Sequence, residues 1–203
     1  MKKSEWYKDI FKEASNIAVS HALTALSQMI GGPIDMEAPE VEIVPRVEFL
    51  KMLAKKGVSN SFTVMFDITE GLSGLTILQF PKTSALNLSA VLLGMEPGSV
   101  QELDEMAKSA IMEVGNILIS VYTDILANLI GEQVSLSPPK PAESLYDIEK
   151  ELSKPSLRNV ESVIIFKSRF RKEDVGVESY FYIVPTPESF TKIVKRLESQ
   201  VTE

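Results

Sequence analysis

Cysteine is absent from this sequence of 203 residues, and the absence excludes several kinds of chemistry. Without a thiol, the chain cannot form a disulfide bond, bind structural zinc through thiolates or use a cysteine nucleophile. Histidine occurs once, as His21, which we interpret as a boundary or core residue rather than a general base. A cysteine-free composition is also compatible with a reducing compartment.

Long apolar runs and an excess of positive charge are lacking as well. The N-terminus carries lysines but no apolar stretch of the kind found in secretory signals. The most apolar segment, residues 117–130, is interrupted by Asp124 and Asn128, so we expect no membrane span. The formal net charge is −7, whereas nucleic-acid binding requires stripes of Lys and Arg. These features predict a cytoplasmic protein that binds neither nucleic acid nor membrane.

What the sequence does contain is one motif that occurs twice, 100 residues apart. A Glu is followed three residues later by an Asn, once as Glu13 and Asn16 and again as Glu113 and Asn116. The same offset relates further identical residues: Ile17 and Ile117, Ser20 and Ser120, Leu26 and Leu126, Ile30 and Ile130, Gly31 and Gly131, and Pro39 and Pro139. Identities in phase with an apolar scaffold predict that one structural unit has been duplicated.

The pattern of apolar residues predicts the same plan in each half. Long amphipathic helices at residues 3–30 and 102–130 each end at a glycine, and each is followed by a strand, a hairpin and a closing helix. A short acidic helix at residues 143–152 has no evident counterpart in the first half. The predicted fold class is α+β, with an internally duplicated, pseudo-twofold antiparallel sheet and the two long helices side by side on one face. Residues 1–203 are expected to form a single domain of two pseudo-repeats, at about 1–98 and 99–203.

The Glu and Asn of each motif lie on the same side of their helix, with Cβ atoms roughly 5–6 Å apart. Asp9 and Ser109 lie one turn earlier and extend the polar patch. Together, a carboxylate and a carboxamide can orient a water molecule and can contact a cationic group of a partner. No pattern resembles a metal site, so a metal would come with the substrate. A single pair of this kind is usually an ordinary solvated face, but two pairs in register favour a function.

The pattern Asp or Ser, three residues, Glu, two residues, Asn, and Pro about two dozen residues later resembles the motif of the CheC/CheX/FliY phosphatases of bacterial chemotaxis. Two intact motifs in one chain, without a flagellar-switch domain, resemble the CheC branch of that family. The two copies are Asp9-Glu13-Asn16-Pro39 and Ser109-Glu113-Asn116-Pro139.

This resemblance implies hydrolysis of the aspartyl phosphate on the response regulator CheY. By position, Asn16 and Asn116 would orient the attacking water in line with the phosphorus atom. Glu13 and Glu113 would contact the active-site lysine of the regulator. Non-catalytic binding of CheY or CheD by the same surfaces is the alternative.

The resemblance further implies that Asp9 and Ser109 shape the face that docks CheY. CheY would supply the Mg²⁺ ion and most of the catalytic residues, so that the chain itself has no cofactor. A monomer is expected. Pro39 and Pro139 are interpreted as residues that steer loops rather than touch the substrate.

Members of this family also bind CheD, a receptor glutamine deamidase, through a short helix in the second half. The segment 142–152 fits that description, and its predicted contact residues are Leu145, Tyr146, Asp147 and Ile148. An ordinary amphipathic surface helix is the alternative interpretation.

The methionines are expected to fill gaps in the core. The seven considered are Met29, Met36, Met52, Met65, Met95, Met106 and Met112.

Overall fold

The structure is a computed structural model that describes residues 9, 11–12, 21, 23–37, 39–96, 98–172 and 175–199. In the first predicted helix, residues 9, 11–12 and 21 are helical, and α1 denotes the continuous helical run at residues 23–30. Helix α1 ends at Gly31, whose φ of 72° lies in the left-handed region that glycine adopts readily. The predicted end of the first helix is therefore confirmed.

The described elements follow the same order in both halves of the chain. After α1, the first half contains β1 (Asp35–Met36), β2 (Glu40–Pro45), α2 (Arg46–Lys56), β3 (Ser61–Glu70), β4 (Gly74–Pro81) and α3 (Lys82–Leu92). The second half contains α4 (Glu105–Ile130), β5 (Ser135–Leu136), β6 (Lys140–Pro141), α5 (Leu145–Leu152), β7 (Ser162–Lys172), β8 (Val175–Pro185) and α6 (Pro187–Ser199). Helix α5 therefore takes the place that α2 takes in the first half, and the prediction that it has no counterpart is wrong.

Among the described residues, eight antiparallel strands form one sheet to which both halves contribute. The strand order is β1-β7-β8-β4-β3-β5, with β2 also paired to β7 and β6 also paired to β3. The short strands of each half thus pair with the hairpin of the other half, and the two hairpins meet where β4 pairs with β8. The predicted fold class, an α+β fold with an antiparallel sheet, is confirmed. Duplication of an ancestral unit stays a prediction.

Both faces of the sheet are covered, because neighbouring strand residues point to opposite sides. On one face, residues of α1, α3, α4 and α6 pack with strand residues such as Phe166 in a large apolar cluster. On the other face, α2 and α5 pack over the adjacent residue Ile165 in a second cluster. Among the described residues of the first helix, Phe11 and Leu26 belong to the same cluster as α4. The long helices therefore lie on the same face, as predicted.

Helix α4 is the central element of the larger core. Asp104 caps its N-terminus by accepting a hydrogen bond from the backbone N–H of Ala107 at 2.8 Å, and Gly131 ends it with φ at 70°. An 18-residue window within Glu105–Asn128 has a mean hydropathy of 1.4, so this segment is long and apolar enough to cross a membrane by composition alone. The expectation that no segment would be so apolar is wrong. Half of that window is buried within the fold, and the core helix of a soluble protein passes the same test of length and composition.

Candidate functional site

The second copy of the motif forms an exposed polar stripe along α4. Ser109, Glu113, Asn116 and Ser120 are all exposed, at spacings of four, three and four residues. These spacings place them on one side of the helix, while the intervening residue Val114 is buried. We call these four residues the α4 stripe.

The side chains of Glu113 and Asn116 in the α4 stripe are available to contact a molecule outside the chain. Neither the Glu113 carboxylate nor the Asn116 carboxamide has a hydrogen-bond or ion-pair partner among the residues that the structure describes. The Ser120 hydroxyl donates to the backbone carbonyl of Asn116 at 2.9 Å, which leaves the Asn116 side chain unengaged. An anionic acceptor therefore lies one turn from a group that both donates and accepts.

A close approach of α4 to the sheet fixes the position of this stripe. Gly115, between the two motif residues, is buried, and a Cβ atom added to it would lie 3.1 Å from Cδ2 of Leu78 on β4. That distance is tighter than an ordinary van der Waals contact. Glycine therefore lets the helix lie close to the strand at the point where its opposite side carries Glu113 and Asn116.

Tyr122 anchors the same helix further along. Its ring stacks on Phe181 with centroids 4.5 Å apart and an interplanar angle of 8°, and it lies 5.1 Å from the ring of Phe166. Its hydroxyl forms a hydrogen bond with the hydroxyl of Ser168, which is also buried. Burial raises the pKa of Tyr122 to about 12, so its phenol stays neutral at physiological pH. These contacts support the α4 stripe from behind.

The first copy of the motif lies largely outside the described residues. Glu13 and Asn16 are outside them, and their assignment stays a prediction. Asp9 is helical and exposed, so it remains available for the predicted docking role. His21 is exposed, so its interpretation as a boundary or core residue is wrong, and its exclusion as a general base stays a prediction.

The fold brings the two ends of the second motif together at one groove. Ser109 on α4 and Pro139, which precedes β6, both line a cavity of about 520 Å³ between the N-terminal half of α4 and strands β3 and β6. Partly buried apolar side chains of Phe62, Leu103 and Met112 line the same cavity. We call it the α4 groove. Sequence spacing did not show this groove, because the position of β6 opposite α4 is set by the pairing of β6 with β3.

Two methionines predicted to fill the core are exposed instead. Met106 is 66% exposed and Met95 is 46% exposed. Met106 lies three residues before Ser109 and therefore continues the α4 stripe by one turn toward the N-terminus. The composition of a helix shows which residues are apolar, but the strands beneath it determine which of them are covered.

Helix α5 presents fewer contact residues than the sequence suggested. Ile148 is fully buried in the second core, so its prediction as a partner contact is wrong. Leu145 is partly buried against the same core, whereas Tyr146 is 69% exposed. The Asp147 carboxylate accepts hydrogen bonds from the backbone N–H of Ser144 at 2.8 Å and from the Ser144 hydroxyl at 2.9 Å.

These hydrogen bonds from Ser144 lower the pKa of Asp147 and fix the N-terminus of α5. The carboxylate is thus engaged in its own helix, and Tyr146 is the predicted contact residue with a largely exposed side chain.

No group of three or more His, Asp or Glu side chains suited to a metal ion occurs among the described residues. The α4 stripe offers one carboxylate and one carboxamide, which suit positioning and hydrogen bonding.

Comparison with known proteins gives consistent results for sequence and structure. A model of the family described as chemotaxis phosphatase CheX matches residues 62–158. The CheY-P phosphatase CheX of Thermotoga maritima is 30% identical over 115 residues, which cover 56% of this chain and 72% of that protein. The CheY-P phosphatase CheC of Bacillus subtilis is 26% identical over 191 residues, which cover 91% of this chain and 90% of that protein.

Among solved structures, the crystal structure of FliY from Thermotoga maritima is similar to this chain with a TM-score of 0.72 and 25% sequence identity. The similarity covers 95% of this chain and 96% of that chain. The fold is therefore shared over nearly the whole length, beyond the region that the family model matches.

Proposed function

The chain belongs to the family of chemotaxis phosphatases that includes CheC, CheX and FliY, and from this premise we propose that it hydrolyses the aspartyl phosphate of the response regulator CheY. The observation that carries the proposal is the exposed pair Glu113 and Asn116, whose side chains have no partner among the described residues. The pair lies on a helix fixed to the sheet by Gly115 and Tyr122.

In the proposed reaction, the Asn116 carboxamide orients a water molecule opposite the leaving oxygen of the acyl phosphate. The water oxygen forms a bond to phosphorus, the bond from phosphorus to the aspartyl oxygen breaks, and the products are inorganic phosphate and a free carboxylate. Phosphoryl transfer of this kind depends mainly on positioning and electrostatic stabilisation, so a neutral amide is sufficient as the contribution of this chain.

The Glu113 carboxylate has a separate role in the proposal. It contacts a cationic side chain of CheY, the active-site lysine, and thereby holds the regulator with its phosphate facing Asn116. Because the carboxylate lies one turn from the amide, both contacts form at once. Mg²⁺, when bound by CheY, supplies charge stabilisation at the phosphate. Ser109, one turn before Glu113, contributes to the docking face.

The proposal assigns the same roles to Glu13, Asn16 and Asp9 in the first half, by their offset of 100 residues. It also assigns the chain to the cytoplasm, where CheY acts, and to a monomeric state. Two motifs in one chain provide two sites without the need for a second copy.

Phosphate loss from phosphorylated CheY, followed with and without the wild-type chain, tests this function. We expect a substoichiometric amount of chain to accelerate the loss with multiple turnovers. An adaptor without catalysis would bind phosphorylated CheY and leave its spontaneous rate unchanged, and that result would refute the phosphatase.

We propose in addition that α5 binds CheD, as the family resemblance implies. The supporting observation is Tyr146, a large aromatic side chain that is 69% exposed on a helix whose opposite side is fully buried. Exposed tyrosines of this kind are frequent energetic centres of protein interfaces.

Replacement of Tyr146 by alanine is expected to weaken CheD affinity about tenfold or more, as measured by calorimetry. Asp147 is unsuitable for this test, because its replacement would disturb the start of α5. Val47→Ala on α2 provides the control, since Val47 is similarly exposed at 64% and should be neutral. Equal affinities of wild type and Tyr146→Ala would remove α5 as the CheD site.

A further inference from the structure

One exposed apolar side chain interrupts the otherwise polar outer side of α4. Met106 is 66% exposed, and it lies three residues before Ser109 on the side of the helix that carries the α4 stripe. A single exposed apolar residue is common on protein surfaces and by itself indicates nothing. Its position matters here because the apolar-lined α4 groove begins at the neighbouring turn of the same helix.

The groove offers an apolar floor and no unpaired charge of its own at its α4 edge. Phe62 and Met112 line it, while Lys108 and Glu105 at its rim form an ion pair at 3.1 Å. Because these two charges neutralise each other, the α4 edge of the groove favours an apolar side chain over a charged one, while the exposed carboxylate of Glu143 also lines the groove. Pro139 extends the apolar lining on the side of β6.

The area of a typical protein interface implies that CheY, when bound at Asn116, also covers Met106 and the α4 groove. An interface of standard size buries about 800 Å² on each partner, which corresponds to a disc with a radius of about 16 Å. Met106 precedes Asn116 by ten residues, or about 15 Å along the helix. A folded protein that delivers a phosphorylated aspartate to Asn116 therefore extends as far as Met106 and the groove.

From these observations, we infer that Met106 and the α4 groove form the docking surface for an apolar side chain that CheY presents beside its phosphorylation pocket. This inference rests on the proposed function. The surface binds without taking part in chemistry and determines which response regulator is accepted at the α4 site. Its contribution is therefore to KM, whereas the contribution of Asn116 is to kcat.

The test uses Met106→Glu in a Glu13→Lys/Asn16→Ala background, so that only the α4 site docks and hydrolyses phosphorylated CheY. We expect KM to rise about tenfold, because a carboxylate would be buried against an apolar surface, with kcat retained. Affinity for beryllofluoride-activated CheY, measured by calorimetry, should fall by a similar factor. Met95→Glu in the same background is the matched control, since Met95 is exposed at 46% but lies outside α4.

The two measurements separate the inference from the function on which it rests. An unchanged KM and an unchanged affinity in Met106→Glu would overturn the docking surface, as would a loss confined to kcat. If the background chain bound activated CheY without hydrolysing phosphorylated CheY, the phosphatase activity of the α4 site would be refuted. A tenfold loss of affinity in Met106→Glu would still support the docking surface in that case.

Discussion

The double variant Asn16→Ala/Asn116→Ala is expected to lose the acceleration of CheY dephosphorylation by about a hundredfold or more, to the limit set by spontaneous decay. Misplacement of a reacting group by about 1 Å can reduce a rate by about a hundredfold, and removal of the amide leaves the attacking water unpositioned. Each single variant should retain the turnover of the other site. The measurement is phosphate release at substoichiometric chain.

This loss should occur without a change in fold. Asn116 is exposed, and its side chain has no partner among the described residues, so its removal breaks no internal contact. Alanine also favours the helix interior over asparagine by several tenths of a kcal/mol. Ser120→Ala is a suitable control, since it changes another exposed residue of the α4 stripe that the proposal leaves out of the chemistry. Equal turnover of the double variant and wild type would contradict the assigned role of the amides.

A second large effect is expected from Tyr122→Ala, which should lower the free energy of unfolding by about 3–5 kcal/mol. The ring is 2% exposed and packs between α4 and the sheet, stacked on Phe181. Its removal leaves a cavity beneath α4 and removes the partner of the Ser168 hydroxyl. Urea denaturation measures the change. A loss of this size is a substantial part of the 5–15 kcal/mol that is typical of native proteins.

The variant Tyr122→Phe distinguishes the contribution of the aromatic ring to stability from that of the hydroxyl group. It retains the stacking on Phe181 and removes the hydrogen bond, so a smaller loss of about 1–3 kcal/mol is expected. If Tyr122→Ala cost no more than Tyr122→Phe, packing of the ring would not anchor α4. The rigidity of the α4 stripe would then need another explanation.

The order and bounds of the elements could be predicted from local features of the sequence. Gly31 and Gly131 end the two long helices because glycine adopts the positive φ required there. Runs of β-forming residues marked both long hairpins, and the predicted start of the second long helix at residue 102 lies three residues before Glu105, where α4 begins. The stripe of Ser109, Glu113 and Asn116 followed from helical periodicity alone.

Features that depend on distant parts of the chain could not be predicted. The exchange of short strands between the halves depends on pairing between residues far apart in the chain, such as Glu40 with Lys167 and Met65 with Lys140. The equivalence of α2 and α5 is topological and leaves little trace in their sequences. The hydrogen bonds of Asp147 to Ser144 could not be predicted either, because a carboxylate near a helix start can bind a partner or its own backbone.

The sequence also could not show which apolar residues on α4 are exposed and which are buried. Met106 and Ile111 both fit an amphipathic pattern, yet Met106 is 66% exposed and Ile111 is fully buried. Which of the two is covered depends on the strands and helices packed against α4. The α4 groove has the same origin, since Pro139 reaches Ser109 only through the pairing of β6 with β3.

The proposed phosphatase activity requires above all that the amide side chains act on the chemical step. Single-turnover decay of phosphorylated CheY, measured with the chain at saturating concentration, isolates that step from binding. We expect rapid decay with the wild-type chain and decay at the spontaneous rate with Asn16→Ala/Asn116→Ala. Rapid decay with the saturating double variant would contradict this expectation, because the amides would then contribute only to binding.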